Sequence, residues 1–410
     1  TADSNTGVDV FCNKFIKYGI DFVRTGQSVK IDEDVIPHTL DEKVKSHPDF
    51  KRAEELEDEV DSLKEKMKNY VSASRGNRRG FPFGAINKLA NSRRGARGIS
   101  PSRIKSMASW IEINDKLVKV LEEIKTLRNR ALNEIIERSK VVFSTNIGTG
   151  SEILKDHHFD ITVVDECTQA TETSSLLPLL KSKKFILAGD HLQLPPTILS
   201  YKSVSEGYSK SLFERLIELS AENSVMLDTQ YRMNSDIVKY ISERFYGGGI
   251  KTPKDIGKRE VVLKTGDNII RKLFGEDSPP RIFIDINGKE EHPADSPSFL
   301  NREEGDYIIE ILKKLEKANF QGDIGVITGY RAQKYYIKDR TGNLELDLTV
   351  DTVDGFQGGE KDVIIFSLVR SNERNDTGLL KDERRLNVAL SRARKKLIVV
   401  EDPGIRNKLI

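Results

Sequence analysis

Cysteine is nearly absent: the 410 residues hold only Cys12 and Cys167. Two thiols so far apart, without metal-ligand spacing, argue against a disulfide framework and against a zinc module. A reducing, intracellular setting, cytoplasmic or nuclear, is therefore expected. No apolar run approaches the roughly 20 residues of a membrane span, and no signal-peptide pattern opens the chain, so no membrane contact is expected. Charge of one sign is also missing. Lys and Arg number 66 against 64 Asp and Glu, so bulk charge identifies no partner. Nowhere does G-x-x-x-x-G-K-[ST] occur, the loop whose backbone amides and lysine cradle phosphates. Side chains elsewhere cannot replace that nest of amides. The first residue is Thr rather than Met, which suggests a start inside a larger protein.

What is present is organised around 161–196. The apolar run Ile161-Thr162-Val163-Val164 ends in Asp165-Glu166-Cys167-Thr168-Gln169-Ala170. A second run, Phe185-Ile186-Leu187-Ala188, breaks at Gly189-Asp190-His191-Leu192-Gln193-Leu194-Pro195-Pro196. Two β-rich runs that each end in an acid, joined by a helical stretch, read as parallel neighbours with polar groups at their carboxyl ends. Ligands bind at that edge of an open α/β sheet. A strand-end carboxylate can hold Mg²⁺ through water, the role expected of Asp165. Its neighbour Glu166 can orient or deprotonate an attacking water. Gln193, an uncharged donor and acceptor, can sense a γ-phosphate. A bare Asp-Glu pair is more often a strand ending in a turn, so the surrounding segments carry the argument.

Those two segments resemble motifs II and III of the superfamily 1 helicases, most closely the branch containing the nonsense-mediated-decay helicase, senataxin and the immunoglobulin-mu-binding helicase. Similar segments follow in the family's order over almost the whole chain. Ser4-Asn5, at the start of a helix with Val8, Phe11, Phe15 and Ile16 as its apolar stripe, falls where motif Ia touches the nucleic-acid backbone; helix capping is the bland alternative. Thr145 falls in motif Ic, and a plain strand-to-helix turn explains it nearly as well. Gln230-Tyr231-Arg232-Met233 resembles the segment whose Arg reaches the γ-phosphate and whose aromatic stacks on adenine. Tyr330 and Gln333 match P-Y-x-x-Q, with Gly329 where Pro is usual, a departure that loosens the turn. Val350 to Glu360 looks like motif V, with Thr352 toward nucleic acid and Gly359 and Glu360 toward the nucleotide. Arg384 to Arg394 matches motif VI, and Arg392 is the second arginine finger. The family's phosphate loop lies one strand before motif Ia. By resemblance the loop is expected in a longer parent, and the 410-residue chain alone is expected to bind ATP weakly.

Between the motif segments the composition changes. Residues 41–140 are charged and helical, with Leu56, Val60, Leu63, Met67 and Tyr70 as one stripe and Ile104, Met107, Ile111, Leu117, Ile124, Leu127 and Ile135 as another. Two amphipathic helices joined by a loop pack as an antiparallel hairpin. The joining stretch, Ser72 to Lys105, has no acid and nine bases, with Phe81, Phe83 and glycines interleaved. Such a stretch is expected to bury little apolar area and to be mobile. Arg with aromatics and Gly is also the composition of segments that track phosphates and stack bases, which makes Arg75, Arg78, Arg79, Arg93, Arg94 and Arg97 candidate nucleic-acid contacts.

The resemblance implies an α/β chain of two RecA-like P-loop NTPase lobes with parallel sheets: residues 1–40 with 141–224, then 225–410, and a helical hairpin at 41–140 inserted in the first. It implies an ATP-dependent helicase or translocase acting 5′ to 3′ on single-stranded RNA or DNA, with ATP and Mg²⁺ between the lobes. Residue types identify no protein partner. The alternative is a nucleic-acid-binding module without motor activity, should the phosphate loop be truly missing. Backbone-tracking motors need no base readout, so RNA and DNA are not told apart.

Overall fold

The computed structural model describes residues 1–26, 31–294, 296–356 and 359–409. In its first part, β1 (Val23–Arg24) pairs in parallel with β2 (Val142–Phe143), and β3 (Phe159–Val164) with β4 (Ser182–Leu187). The first residues of the chain bridge these pairs: Ala2 is bridged to Thr145, and the Asp165 amide donates to the Thr1 carbonyl at 2.9 Å. Helix α1 (Asn5–Lys17) starts at Ser4, whose Oγ accepts the Gly7 amide at 3.0 Å. Its inner face sets Val8 and Cys12 against Phe22 and Phe143, with Phe15 packed edge-on to Phe143. Arg24, 1% exposed, is neutralised by Asp9 at 3.2 Å and donates to Asn5 Oδ1 at 2.7 Å. A buried guanidinium is tolerated only when paired in this way.

After the short α2 (Leu40–Val44), α3 (Pro48–Lys68) and α5 (Pro101–Arg138) form the expected hairpin. Ala53, Leu56, Val60 and Ile124 make the seam, with Leu117, Val120 and Leu127 beside it. Ion pairs of Asp49 with Arg130 and of Glu57 with Arg128 fix the antiparallel sense. Tyr70, expected in the stripe, lies outside the helix and is exposed. The basic stretch is not loose. It contains α4 (Phe83–Asn91) and a cluster of its own, in which Ala73, Ile86 and Ile99 pack on Ile104, Met107 and Ile111 of α5. The few apolar residues among the arginines converge on one face of α5, which is enough to order the segment. Helix α6 (Glu172–Leu179) connects β3 to β4. Ile161, Val163, Phe185 and Ile186 on these two strands remain exposed.

The second part is built on five parallel strands. β5 (Arg281–Asp285), β8 (Ile324–Thr328), β9 (Leu348–Thr352), β10 (Lys361–Ser367) and β11 (Ala393–Glu401) lie in the order β5-β11-β10-β8-β9. Between β5 and β8, β6 (Glu290–Glu291) and β7 (Leu300–Asn301) form a small antiparallel pair. The central register sets Ile365 between Ile398 and Val326. Val363 to Phe366 are fully buried because helices cover both faces, the pattern of a doubly covered parallel sheet. The expected α/β class with parallel sheets is what the chain adopts.

Two compact units result, Thr1–Ala188 and Gly189–Ile410. The segment from Gly189 thus groups with the second part, ahead of the boundary at 224/225 expected from sequence. The reason is local: Leu194 sits in one core with Met233, Ile237 and Val238, and Asn387 donates to the Leu192 carbonyl at 2.9 Å.

Candidate nucleotide and nucleic-acid sites

In the first unit, β3 ends at Val164 and delivers Asp165 and Glu166 to the carboxyl edge. Burial raises the Asp165 carboxyl above its usual range, opposed by the Glu166 backbone amide. Glu166 has φ 49°, a left-handed conformation that non-glycine residues adopt at a cost. That turn leaves its side chain exposed, where Oε2 accepts a hydrogen bond from Gln169 Nε2 at 2.8 Å. Cys167 points inward, its amide and Sγ both donating to the Ala188 carbonyl. Gln169 was visible in the motif without an assigned task; its side-chain amide meets the Glu166 carboxylate.

Ser4 caps α1, and Asn5 is engaged by Arg24. Thr145 Oγ1 accepts the Gly148 amide at 3.0 Å. All three therefore have local structural duties at the strand-end turns. Ser144, Asn146 and Thr168, close by in sequence or motif, are buried, with side-chain polar atoms that find no hydrogen-bond partner among the described residues.

In the second unit, several expected phosphate-side residues are joined directly. Arg392, 4% exposed, donates from Nη2 to Gln193 Oε1 at 3.0 Å, from Nη1 to the Gly359 carbonyl at 3.4 Å and from Nε to the Val388 carbonyl at 3.0 Å. Gln193 Nε2 donates in turn to Asp190 Oδ2 at 2.8 Å. Tyr246 donates to the same carboxylate, and Asn387 Nδ2 donates to Tyr246 Oη at 2.7 Å. Burial and the Asp190 carboxylate push the Tyr246 hydroxyl well above its ordinary value, so it stays a donor. Asp190, Tyr246 and Asn387 were not anticipated as a group. Asp190 and Asn387 lie inside recognised motifs, whereas Tyr246 left no sequence signal. Arg232 pairs with Glu360 and donates from Nη1 to the Ser391 carbonyl at 3.1 Å, while Arg394 Nη1 lies 3.6 Å from Glu360. Tyr231 is 67% exposed, an open aromatic face. Gln357 and Gly358 of the same motif lie outside the described residues.

Tyr330 and Gln333 are placed differently from expectation. Gln333 is fully buried; its Oε1 accepts the Asn301 amide at 2.9 Å and its Nε2 donates to Ser367 Oγ at 3.1 Å. The Tyr330 ring packs on Phe299, and its hydroxyl accepts from Arg370 and from the Leu379 amide. In this structure both tie strand ends together rather than face a ligand. Thr352 ends β9, with Oγ1 accepting the Gly355 amide at 3.3 Å.

Among the six arginines of the basic stretch, three are committed internally. Arg78 donates from Nε to the Ala73 carbonyl at 2.7 Å and lies over the Phe83 ring at 4.5 Å. Arg79 and Arg97 donate to each other's carbonyl oxygens, and Arg97 lies over Phe81 at 4.4 Å. Arg75, Arg93 and Arg94 are exposed, with no side-chain partner among the described residues. No group of three or more His, Cys, Asp or Glu side chains that could hold a metal occurs among the described residues.

Two family profiles, both described as AAA domain, match residues 1–201 and 208–403. The chain is 38% identical over 415 aligned positions to a protein of Methanocaldococcus jannaschii named an uncharacterized ATP-dependent helicase, covering 99% of this chain and 60% of that protein. It is 37% identical over 300 positions to the DNA-binding protein SMUBP-2 of Mesocricetus auratus, covering 70% of this chain and 29% of that one. With the ATP-dependent helicase NAM7 of Saccharomyces cerevisiae the identity is 40% over 279 positions, covering 66% and 28%. The chain thus spans less than two thirds of the length of these relatives. Its paired AAA domains on parallel sheets make it a two-lobed P-loop NTPase of RecA-like fold. It belongs to the superfamily 1 helicases, in the branch of the nonsense-mediated-decay helicase, senataxin and the immunoglobulin-mu-binding helicase.

Proposed function

We propose that the protein carrying this chain is an ATP-dependent helicase or translocase that moves 5′ to 3′ along single-stranded RNA or DNA. The observation that carries the reading is the joined set Asp190–Gln193–Arg392 with the Gly359 carbonyl, because two residues expected to report on a γ-phosphate share one hydrogen bond. A planar, permanently charged guanidinium suits phosphate better than a lysine does. Arg392 is the finger that stabilises charge on the transferring phosphoryl group, Gln193 senses its presence, and Arg232 offers a second fork. Tyr231 presents its open face to adenine, and Gly359 and Glu360 approach the nucleotide. Asp165 holds Mg²⁺, which when bound neutralises charge on the phosphate oxygens. Glu166, held by Gln169, orients the attacking water and takes its proton.

For nucleic acid, we assign backbone contacts to Ser4, Asn5, Thr145 and Thr352, short polar side chains at turns beside strand ends. The 41–140 insertion adds cationic contacts at Arg75, Arg93 and Arg94, outside the set that holds the single strand. A binding module without motor activity would have no use for Glu166 in a strained left-handed turn with an orienting glutamine. Steady-state hydrolysis by the full-length protein tests the motor. Glu166→Gln should abolish nucleic-acid-stimulated ATP hydrolysis while leaving nucleotide binding intact. Turnover at the unsubstituted rate would remove Glu166 from its role.

A further inference from the structure

The insertion carries a folded cationic knob whose nine bases divide into two sets. Arg78, Arg79, Arg97 and Arg103 hold the knob together: the first three bind backbone carbonyls, and Arg103 Nη2 donates to Asn77 Oδ1 at 2.8 Å. Arg75, Lys88, Arg93, Arg94 and Lys105 are exposed, and none has a side-chain partner among the described residues. No Asp or Glu occurs from Val71 to Ile111, so nothing local offsets these five charges. The apolar cluster under them, Ala73, Ile86, Ile99, Ile104, Met107 and Ile111, fixes the backbone that carries them. These are cations on a scaffold, not on a tether.

The place of the knob matters as much as its charge. It packs on the first turns of α5, a helix of 38 residues. The other end of that helix packs through Ile136 on Val23, Leu40 and Leu154, beside the sheet. At 1.5 Å per residue the helix separates Ile104, under the knob, from Ile136, beside the sheet, by roughly 50 Å. Arg78 lies over one face of Phe83 and Arg97 over one face of Phe81, and Phe83 stays 40% exposed.

We propose that Arg75, Lys88, Arg93, Arg94 and Lys105 form a contact for the phosphate backbone of double-stranded nucleic acid, without base preference. The inference rests on the nucleic-acid reading above and adds the form of nucleic acid that the insertion takes. Five cations, unpaired among the described residues and on a fixed backbone, gain most from the densest array of phosphates, and a duplex carries more charge per length than a single strand. Counterion release expresses this as a log–log salt slope of about −0.9 per contact on B-form DNA against about −0.7 on a single strand. The distance along α5 places this contact well away from the turns assigned to the single strand, as a junction between duplex and single strand requires.

Binding isotherms of the 410-residue chain for a labelled blunt duplex and a labelled single strand, over a range of salt, test the proposal. Substituting Gln at Arg75, Lys88, Arg93, Arg94 and Lys105 together should weaken duplex binding tenfold or more and flatten its salt slope. Single-strand affinity should stay within about twofold, and the melting temperature should not change. Should the fivefold variant fold poorly, Arg93→Gln with Arg94→Gln keeps the test, with a smaller loss in the same direction. Equal losses on both ligands would overturn the duplex assignment and leave the nucleic-acid reading standing. Unchanged binding to both would overturn the site itself, while ATPase stimulation of the full-length protein by single strands would still report on the motor. Displacement of the duplex by polyglutamate at equal charge concentration would also overturn it, in favour of an acidic protein surface.

Discussion

Arg392 and Gln193 share a hydrogen bond of 3.0 Å, Nη2 to Oε1, across 199 residues of sequence. Two residues in one network do not act independently. In the full-length protein, Arg392→Ala should lower kcat by about a thousandfold, the scale of an arginine finger. Gln193→Ala should cost less, and the double variant should be little worse than Arg392→Ala alone. A double-mutant cycle on kcat checks this; strictly additive losses would mean that the contact carries no coupling.

Gln333 offers a contrast between surface recognition and internal structure. Because it satisfies the buried Asn301 amide and Ser367 hydroxyl, Gln333→Ala should lower stability by about 1–3 kcal/mol through stranded polar groups. Nucleic-acid affinity of the folded variant should hardly change. Urea unfolding beside a binding isotherm separates the two, and lost affinity at unchanged stability would restore Gln333 to the surface role that its motif suggests.

Stability should fall as pH rises from about 5 to about 8. Glu304 and Glu401 are both fully buried, and desolvation pushes each carboxyl up to about 8. Between the unfolded value near 4.5 and the folded value, the native state holds protons that the unfolded chain has released. The contribution is therefore complete below the unfolded value and is lost as pH climbs through the folded one, with a slope of at most about 1.4 kcal/mol per pH unit for each group. Glu304→Gln should flatten the profile, as chemical denaturation at several pH values will show.

Both thiols should resist modification. Cys12 and Cys167 are fully buried, and burial pushes each up to about 12. The thiolate is the reactive form, so a disulfide-exchange reagent at pH 8 should titrate neither thiol in the native chain and both in denaturant. Rapid labelling of the folded protein would contradict the packing of α1 or of the turn after Glu166.

Periodic, apolar segments were the legible ones. Ile161 to Val164 became the end of β3, Val363 to Phe366 the buried centre of β10, and the stripes through Leu56 and Ile124 the seam of the hairpin. Spacing decides these, and spacing is visible. The fold of 72–105 was hidden because its few apolar residues, spread among arginines, show no period and meet only on α5, and composition cannot tell arginines that bind carbonyls, such as Arg79 and Arg97, from solvated ones. Tyr246 stayed unseen because its partners Asp190 and Asn387 are far from it in sequence. Burial of Tyr330 and Gln333 depended on how β7 and β10 come together, which no local pattern records.

The exposed side chains of β3 and β4 set how the chain behaves in bulk. Ile161, Val163 and Ile186 are each close to half exposed on one face of neighbouring strands, an oily strip on a molecule whose net charge of +2 gives little mutual repulsion. Excluded salts such as sulfate strengthen contacts of that kind. Precipitation of the concentrated chain will therefore begin at modest sulfate, and mild detergent or a chloride of low ionic strength will be the better medium for keeping it dispersed.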